Sequence, residues 1–579
     1  MPNTLFRSPL YAAFFCAGFL AGCAPDQPGP GTTLAQCPAP TTSIANVQGE
    51  TPRSGMLGQQ VTVQGIVTLI QAGRGLYIEE SGSDADERTS NAIFVQSGNL
   101  ASGVEQGTVI SVSGKVSEIG EERYPLTALT DIGEIVPCSS NHDLPLTDVS
   151  LPLSGLKREA LEGMRIQVDD KLIVTNTYQF ARGNFTLSAN GLQFVPTEIM
   201  EPGPETAGLI AKNKAFALPV MMPESMKFPE LLVSGASINN ITGVVAHDDR
   251  DLRVSLQEIS TFSSEDYDLP AAAVVGSLRV VGMNLHNYFN GDGKGSGFPT
   301  PRGAKTADGF QHQRDRIGAA IEVMNPHVLA VMELENDGFG ADSAAQDFIQ
   351  LANDATAKPW AVTRPAGDDT GSDKIAVGIF YRSDRLKAIG PAQTLTGPEF
   401  KRSRQPQAQL FAQIPTGERI LIVINHLKSK GSCPDSGENA NQKDGQACWN
   451  PVRRASAKKM SVWAKSIATS TGTDNILILG DMNAYRNEDP IGSIRDAGFI
   501  ELMDKKREPT YSFVYYGQHG TLDYAFSSNS LLEQVEQAFI WHANTPFPAN
   551  MDLPQPWLGF SDHDPVVVDI RSRQSSTLD

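Results

Sequence analysis

After its first twenty residues the chain has no uninterrupted apolar run of the roughly 18 residues that a membrane-spanning helix needs, so no later segment qualifies as one. Cations are scarce: 47 Lys and Arg stand against 66 Asp and Glu, for a formal net charge of −19. That balance ordinarily argues against a polyanionic substrate. Cysteine is scarce as well, with six residues in 579. What the chain does have is length, too much for one hydrophobic core, so several domains are expected.

The amino terminus reads as a secretory signal, with the single cation Arg7, an apolar stretch from Tyr11 to Leu20, and then Leu20-Ala21-Gly22-Cys23. The small residues before Cys23 resemble the bacterial lipobox, which implies lipidation of Cys23 after removal of the segment before it (signal region 1–23). Ala24 directly after Cys23 resembles the outer-membrane class of lipoproteins. Residues 24–36, rich in Pro, Gly and Thr, suit a flexible tether. The mature chain is expected to touch the membrane only through this lipid, in the cell envelope or facing the extracellular or periplasmic space, and to be a monomer. Cys16 leaves with the signal, so four cysteines remain for an oxidising compartment. Three pairings are open to them, of which Cys37 with Cys138 and Cys433 with Cys448 are expected, the first bracketing one domain.

Short alternating runs from Gln60 to Val136, among them Val61-Thr62-Val63 and Val109-Ile110-Ser111-Val112, are separated by Gly and Ser clusters. They predict an all-β domain over 37–140. About five strands fit a small barrel of the oligonucleotide/oligosaccharide-binding type, and also a sandwich. A second β-rich domain is expected over 141–262, interrupted by a Pro-rich excursion from Pro196 to Pro229, and the two units hint at a duplication. A linker (263–276) leads into residues 277–571, where strands alternate with helical segments such as Arg314 to Met324 and Val452 to Ile467. This is an α/β pattern. Residues 572–579 form a polar tail.

In the last domain, strand after strand carries a polar residue at its mouth. Asn284 follows Leu278 to Val281, Glu333 follows Val328 to Met332, and His426 follows Ile420 to Asn425. Asp481 and Asn483 follow Ile476 to Leu479, Asp523 lies just inside Leu522 to Phe526, and Asp562-His563 precedes Val566 to Val568. If all share one rim, the last strand must run antiparallel to the others. One such residue is an ordinary cap or turn. The repetition implies a shared pocket, with carboxylates for a hard divalent cation and imidazoles for proton transfer or phosphate contact.

These segments, Leu329 to Glu333, Asn425-His426, Gly480 to Asn483, Leu522 to Tyr524 and Ser561 to His563, resemble the endonuclease/exonuclease/phosphatase superfamily, to which deoxyribonuclease I belongs. Asn287 to Gly293 and Asn425 to Gly431, with the Cys433–Cys448 insert, resemble the bacterial extracellular nucleases of the ExeM type. The resemblance implies a four-layered α/β sandwich with mixed sheets, preceded by two small β domains. It implies Glu333 as main metal carboxylate, aided by Asn284 and Asp562, and His563 oriented by Asp523. Asp481 is implied as acid/base or second-metal ligand, Asn483 as a phosphate holder, and His426 as the second catalytic histidine. Arg404 matches a phosphate-gripping arginine, and Asp373 is the candidate acid beside His426. Mg²⁺ suits so few protein carboxylates, and Mn²⁺ fits the same ligands.

The net charge hides a local reversal: from Lys401 to Lys465 twelve cations stand against four anions, suited to phosphate contacts on either side of His426. The expected activity is therefore lipid-tethered, metal-dependent endonucleolytic cleavage of DNA, or of RNA, by direct water attack that leaves 5′-phosphates. Alternatives are phospholipid or sphingomyelin hydrolysis by the same machinery, which an exposed apolar hairpin would favour (none is obvious, though Trp541 to Trp557 has scattered aromatics), or nucleic-acid binding without turnover. The acidic loops Asp84 to Glu87 and Asp248 to Asp251 are candidates for an auxiliary Ca²⁺.

Overall fold

The computed structural model describes residues 37–82, 86–98, 102–121, 124–223, 226, 228, 231–248, 251–264, 269–414, 416–503 and 509–572. The expected signal segment, lipidated Cys23, tether and residues 573–579 lie outside them, as do Asp84, Ala85, Asp249 and Arg250.

The strands Gln60–Gln71, Gly75–Glu79, Ala92–Gln96, Tyr124–Ser139 and Val109–Glu121 pair in that order and close into a barrel. Alternation does the work: Val61, Val63, Ile110, Val112 and Leu129 all turn into one core. Ala92–Gln96 and Tyr124–Ser139 run parallel, the other neighbours antiparallel. Both expected disulfides are present, Cys37–Cys138 closing the barrel's ends and Cys433–Cys448 clipping a loop of the last unit.

The same order recurs in the second unit. Leu172–Asn176, Asn184–Ser188, Ala217–Met221, Leu252–Ser263 and Ser237–His247 form a closed circuit, again with one parallel pair, Ala217–Met221 beside Leu252–Ser263. The Pro-rich excursion is thus not an irregular interruption. It supplies the helices Pro196–Ile199 and Thr206–Phe216 and the strand Ala217–Met221.

The last unit holds two six-stranded sheets. One orders Trp360–Val362, Ile375–Arg382, Val328–Glu335, Ser277–Tyr288, Val566–Arg571 and Val535–Ile540. The other orders Leu386–Thr394, Gln407–Gln413, Arg419–His426, Ile476–Asp481, Asp523–Ser527 and Ile500–Glu501. Both are mixed, and Val566–Arg571 runs antiparallel to Ser277–Tyr288 as the shared-rim argument requires. Their central strands are buried on both faces, which is why they read as unbroken Ile, Leu and Val runs rather than alternating ones. Val280, Ala330, Ile422, Leu477 and Leu479 fill the space between the sheets. Each of these Val, Ile and Leu side chains contributes about 1.5–3 kcal/mol by leaving water.

Helices Ala307–Met324 and Ala344–Thr356 pack on the outer face of the first sheet, and Asn450–Thr471 and Asp489–Asp496 on that of the second. The first begins earlier than its apolar pattern suggested because the Thr306 hydroxyl caps it, accepting from the Gly309 N–H at 3.0 Å. In Asn450–Thr471 the buried face is Arg453, Ser456, Ala457, Met460, Ala464 and Ile467, while Val452 and Trp463 only flank it. Small residues bring this helix close to the sheet, a role that hydrophobicity alone does not reveal.

Candidate active site

Register, rather than sequence proximity, assembles the site. In the second sheet His426 pairs with Asp481 across parallel strands, and Asp481 pairs with Asp523 across the next, antiparallel pair. Three chemistry-bearing side chains therefore stand on one row. In the first sheet Asn284 lies opposite Met332, the residue before Glu333, and Gly282 lies opposite Val566, which carries Asp562 and His563 to the same rim. The hydrogen bond from His563 Nδ1 to Asp523 Oδ2, 2.7 Å, joins the two sheets there.

The backbone is bent to present these groups. Glu333 has φ +63° and Asn483 φ +46°, with His286 and Asn287 also left-handed. For residues other than glycine each such conformation costs about 1–3 kcal/mol, a cost that recurs at functional sites. Glu333 falls where the ladder slips, between Val331 and Leu334, so its carboxylate leaves the strand row. Gly480 (φ +140°) has no freedom to be anything else: a Cβ there would lie 2.0 Å from the Asn425 carbonyl oxygen.

Asp481 is buried, with Oδ1 accepting the Asn483 N–H at 2.8 Å and Oδ2 lying 3.2 Å from His426 Nε2. Glu333 Oε1 lies 4.0 Å from the same Nε2. Asp373, the loose candidate for the partner of His426, meets Arg302 at 3.4 Å and acts on His426 through its field. Asp523 Oδ2 also accepts the Ser512 hydroxyl at 2.7 Å, and Ser512 Oγ in turn accepts the Leu522 and Asp523 N–H groups. Asn483 Nδ2 is turned inward, donating to Leu427 O and Asp481 Oδ2, both at 3.2 Å. Arg404 is buried, not a surface arginine, and donates to Leu427 O at 3.0 Å. Asp562 remains 45% exposed, with His286 Nε2 4.0 Å away.

Electrostatics divide the two histidines. Burial disfavours a charged His563, but the Asp523, Asp562 and Asp481 carboxylates outweigh it and hold the imidazolium well above its usual range. Burial, reinforced by Arg404, pushes His426 the other way and keeps it neutral. Burial raises Asp523 to about 6 against the pull of His563. Asp481 is raised for the same reason.

Buried polar atoms without a partner gather here: Asn284 Nδ2, Arg404 Nε, His426 Nδ1 and Asp523 Oδ1. Such atoms are rare in folded proteins and mark where a ligand, ion or water belongs. Asp481, Asp523 and His563 offer atoms within 4.8 Å of one another. His563 is nevertheless committed through Nδ1 to Asp523, so the carboxylates are the better donors for a hard cation.

The basic stretch is less available than its count suggests. Arg453 is buried and donates to the Cys448 and Gln446 carbonyls, Lys430 pairs with Glu488, and Lys459 pairs with Glu399. Arg402 and Lys428 remain near the rim against the Trp449 ring, at 4.7 and 5.5 Å. Burial and the surrounding arginines lower Lys428 to about 8. In the acidic loops Asp86 and Asp248 are paired with Arg88 and Arg253.

Several participants were not anticipated. His286, Ser512 and the hairpin Phe513 to Gly520 all border the site, and Phe513 lies 4.6 Å ring to ring from His563. The alternation Tyr511-Ser512-Phe513-Val514-Tyr515 and the Gly after Tyr516 were its signal. Conversely Trp541 and Phe547, within the segment considered for membrane contact, are buried.

Residues 284–563 match the Endonuclease/Exonuclease/phosphatase family. No curated protein matches the chain. Among solved structures, an endonuclease/exonuclease/phosphatase from Bacteroides vulgatus is 17% identical over 51% of this chain and 99% of its own, with a TM-score of 0.34. The human Nocturnin catalytic domain with bound sulfate is 17% identical over 52% and 95%, TM-score 0.35. The Bacteroides thetaiotaomicron mannosyl-6-phosphatase is 15% identical over 50% and 98%, TM-score 0.33.

Proposed function

We propose that residues 284–563 form an endonuclease/exonuclease/phosphatase domain that makes the chain a metal-dependent endonuclease. In this reading it is anchored outside the cytoplasm by lipid on Cys23 and cuts phosphodiester bonds of DNA, with RNA also accepted, by direct water attack. The ExeM-type resemblance, the four-layered sandwich and the two oligonucleotide-binding-type barrels belong to the same reading. The observation that carries it is the row His426–Asp481–Asp523, linked to His563 and flanked by Glu333.

A phosphodiester repels hydroxide, and Glu333, with Asn284 and Asp562, would hold Mg²⁺ or Mn²⁺, which would supply the neutralising charge. The chain's own groups do the rest. Asp523 fixes the His563 ring through Nδ1, leaving Nε2 to meet the scissile phosphate or the attacking water. As an imidazolium, His563 offers that phosphate a proton-bearing, positively charged contact. Asp481, raised by burial, suits exchange of a proton with the water or the leaving oxygen. His426 stands neutral beside it as donor or acceptor, and Arg404 and Asn483 would grip a phosphate oxygen by turning from the Leu427 carbonyl they now share. No covalent enzyme intermediate is needed.

Incubation of the mature protein with supercoiled plasmid and Mg²⁺ tests the reading. Nicking is expected, with loss on chelation and in Asp481→Ala. An intact protein that nicks neither DNA nor RNA overturns it.

A further inference from the structure

Between strands Phe513–Tyr515 and Gln518–Gly520 the chain reverses on two residues, Tyr516 and Gly517, both at positive φ, +48° and +77°. Hairpin turns of this hand prefer Asn-Gly, because most side chains resist the left-handed region. A tyrosine at the first position carries strain that packing does not offset. Tyr516 is 81% exposed, and among the described residues its ring meets edge-on, at 4.6 Å, that of Tyr515, itself 57% exposed.

The hairpin is nonetheless held firmly. Gln193–Phe194 of the second β unit pairs with Gln518–Gly520 as a third strand. His519 is buried against Ser234 Oγ at 2.8 Å and Gln193 O at 3.0 Å. Gly517 abuts Asn176, where an added Cβ would come within 3.0 Å of that side chain. Rings then lead outward from the site: Phe513 lies 4.6 Å from His563, and Tyr515 stacks toward Phe513 at 6.5 Å and 21°.

We propose that Tyr515 and Tyr516 form a stacking platform for unpaired bases of a nucleic-acid strand whose phosphate lies at His563, which makes single-stranded or locally melted nucleic acid the preferred substrate. The inference rests on the nuclease reading above. Bases in a duplex cover one another's faces, whereas an unpaired base offers a free π-face to an exposed ring. A lipid surface fits less well: the tip reads Tyr515-Tyr516-Gly517-Gln518, with no aliphatic side chain to enter acyl chains.

The test is fluorescence anisotropy of the mature protein with a labelled single-stranded oligothymidine in EDTA, which reads binding without turnover. Tyr515→Ala and Tyr516→Asn should each weaken binding by about 5- to 100-fold. Tyr515→Phe with Tyr516→Phe should keep it, and Tyr516→Asn, which suits the turn, should not lower the thermal unfolding midpoint. The wild type should bind the single strand more tightly than a duplex. Unchanged binding in the Ala and Asn variants overturns the platform, as does a duplex bound as tightly as the single strand. Cosedimentation with phosphatidylcholine vesicles that these variants lose while oligonucleotide binding persists also overturns it. Wild type that binds oligonucleotide through these tyrosines but nicks no nucleic acid supports the platform and overturns only the catalytic reading.

Discussion

Asp523 opens a strand of the second sheet and His563 lies in the loop leading into a strand of the first, and the 2.7 Å hydrogen bond between Nδ1 and Oδ2 is the point where the two halves of the site become one. The pair acts as a unit: Asp523 fixes the ring and stabilises its positive charge, and Ser512 holds Asp523 from behind at 2.7 Å. Asp523→Asn keeps the shape but removes the charge. It should lower kcat about a hundred- to ten-thousandfold with little change in KM. His563→Ala should cost a similar factor, and the double variant no more than the larger single loss. Single-turnover nicking checks this, and multiplicative losses would show that the two residues act independently.

Glu333 is the carboxylate that leaves its strand ladder at positive φ to face the site. Were it the main metal ligand, Glu333→Gln should raise the Mg²⁺ needed for half-maximal nicking at least about tenfold, since the retained amide lacks the charge a hard cation requires. A second readout is independent of turnover. Mg²⁺ should raise the thermal midpoint of the wild type by mass action and leave that of the variant nearly unmoved. Equal shifts in both proteins would place the metal elsewhere.

A different group of acids governs stability. At the contact of the first barrel with the second unit, burial raises Glu79 to about 7 and, helped by Glu118, Glu159 to about 7. Glu162 is enclosed and pushed well above the ordinary 4.5, chiefly by burial and then by Glu159. For an acid with a raised native pKa the folded state holds the extra proton. Its stabilisation is therefore complete below about 4.5 and is lost as pH rises through about 7. The wild type should lose stability on going from pH 5 to pH 8, and Glu162→Gln, permanently neutral, should lose less. Denaturant unfolding of both at the two pH values measures the difference, and parallel pH profiles would dismiss the cluster.

The strand-mouth residues were legible because each adjoins an apolar run long enough to be a buried strand: Asp481 after Ile476 to Leu479, Glu333 after Val328 to Met332, Asp562-His563 before Val566 to Val568. Their chemistry is local. What brings His426, Asp481 and Asp523 into one row is register between strands distant in sequence, and no local pattern encodes it. The charge count misled for a related reason. Arg453 and Lys430 are cations in composition, yet their charges are used inside the fold, against carbonyls and Glu488. The acid beside His426 was left open in the sequence, with Asp373 as a loose candidate, because an ion pair such as Arg302–Asp373 joins residues distant in the chain. The excursion after Pro196 was read as an interruption, since proline marks breaks and says nothing of what a short helix docks against.

That docking yields the last prediction. Glu198, in the helix Pro196–Ile199 of the second unit, reaches the strand that carries Asp523: Oε2 accepts the Thr521 N–H at 2.9 Å and Oε1 the Thr521 hydroxyl at 3.1 Å. Nearby, Thr197 donates to Glu488 at 2.8 Å, and Asn487 donates to the Thr197 and Glu198 carbonyls. Burial lifts Glu198 to about 8, against the hydrogen bonds from Thr521 and Arg486, so at neutral pH it is largely the uncharged acid. Glutamine should then replace it almost without loss. Glu198→Ala leaves buried donors unpaired, at about 1–3 kcal/mol each, and frees the segment that aims Asp523. Its thermal midpoint should fall, and kcat should fall with KM little changed, as for a residue that positions a catalytic group without touching substrate. Residues 269–572 expressed alone lack Glu198 and the Gln193–Phe194 strand, and should show the same loss of kcat or fail to fold. Full activity in the isolated unit would mean that the second β unit is only carried along.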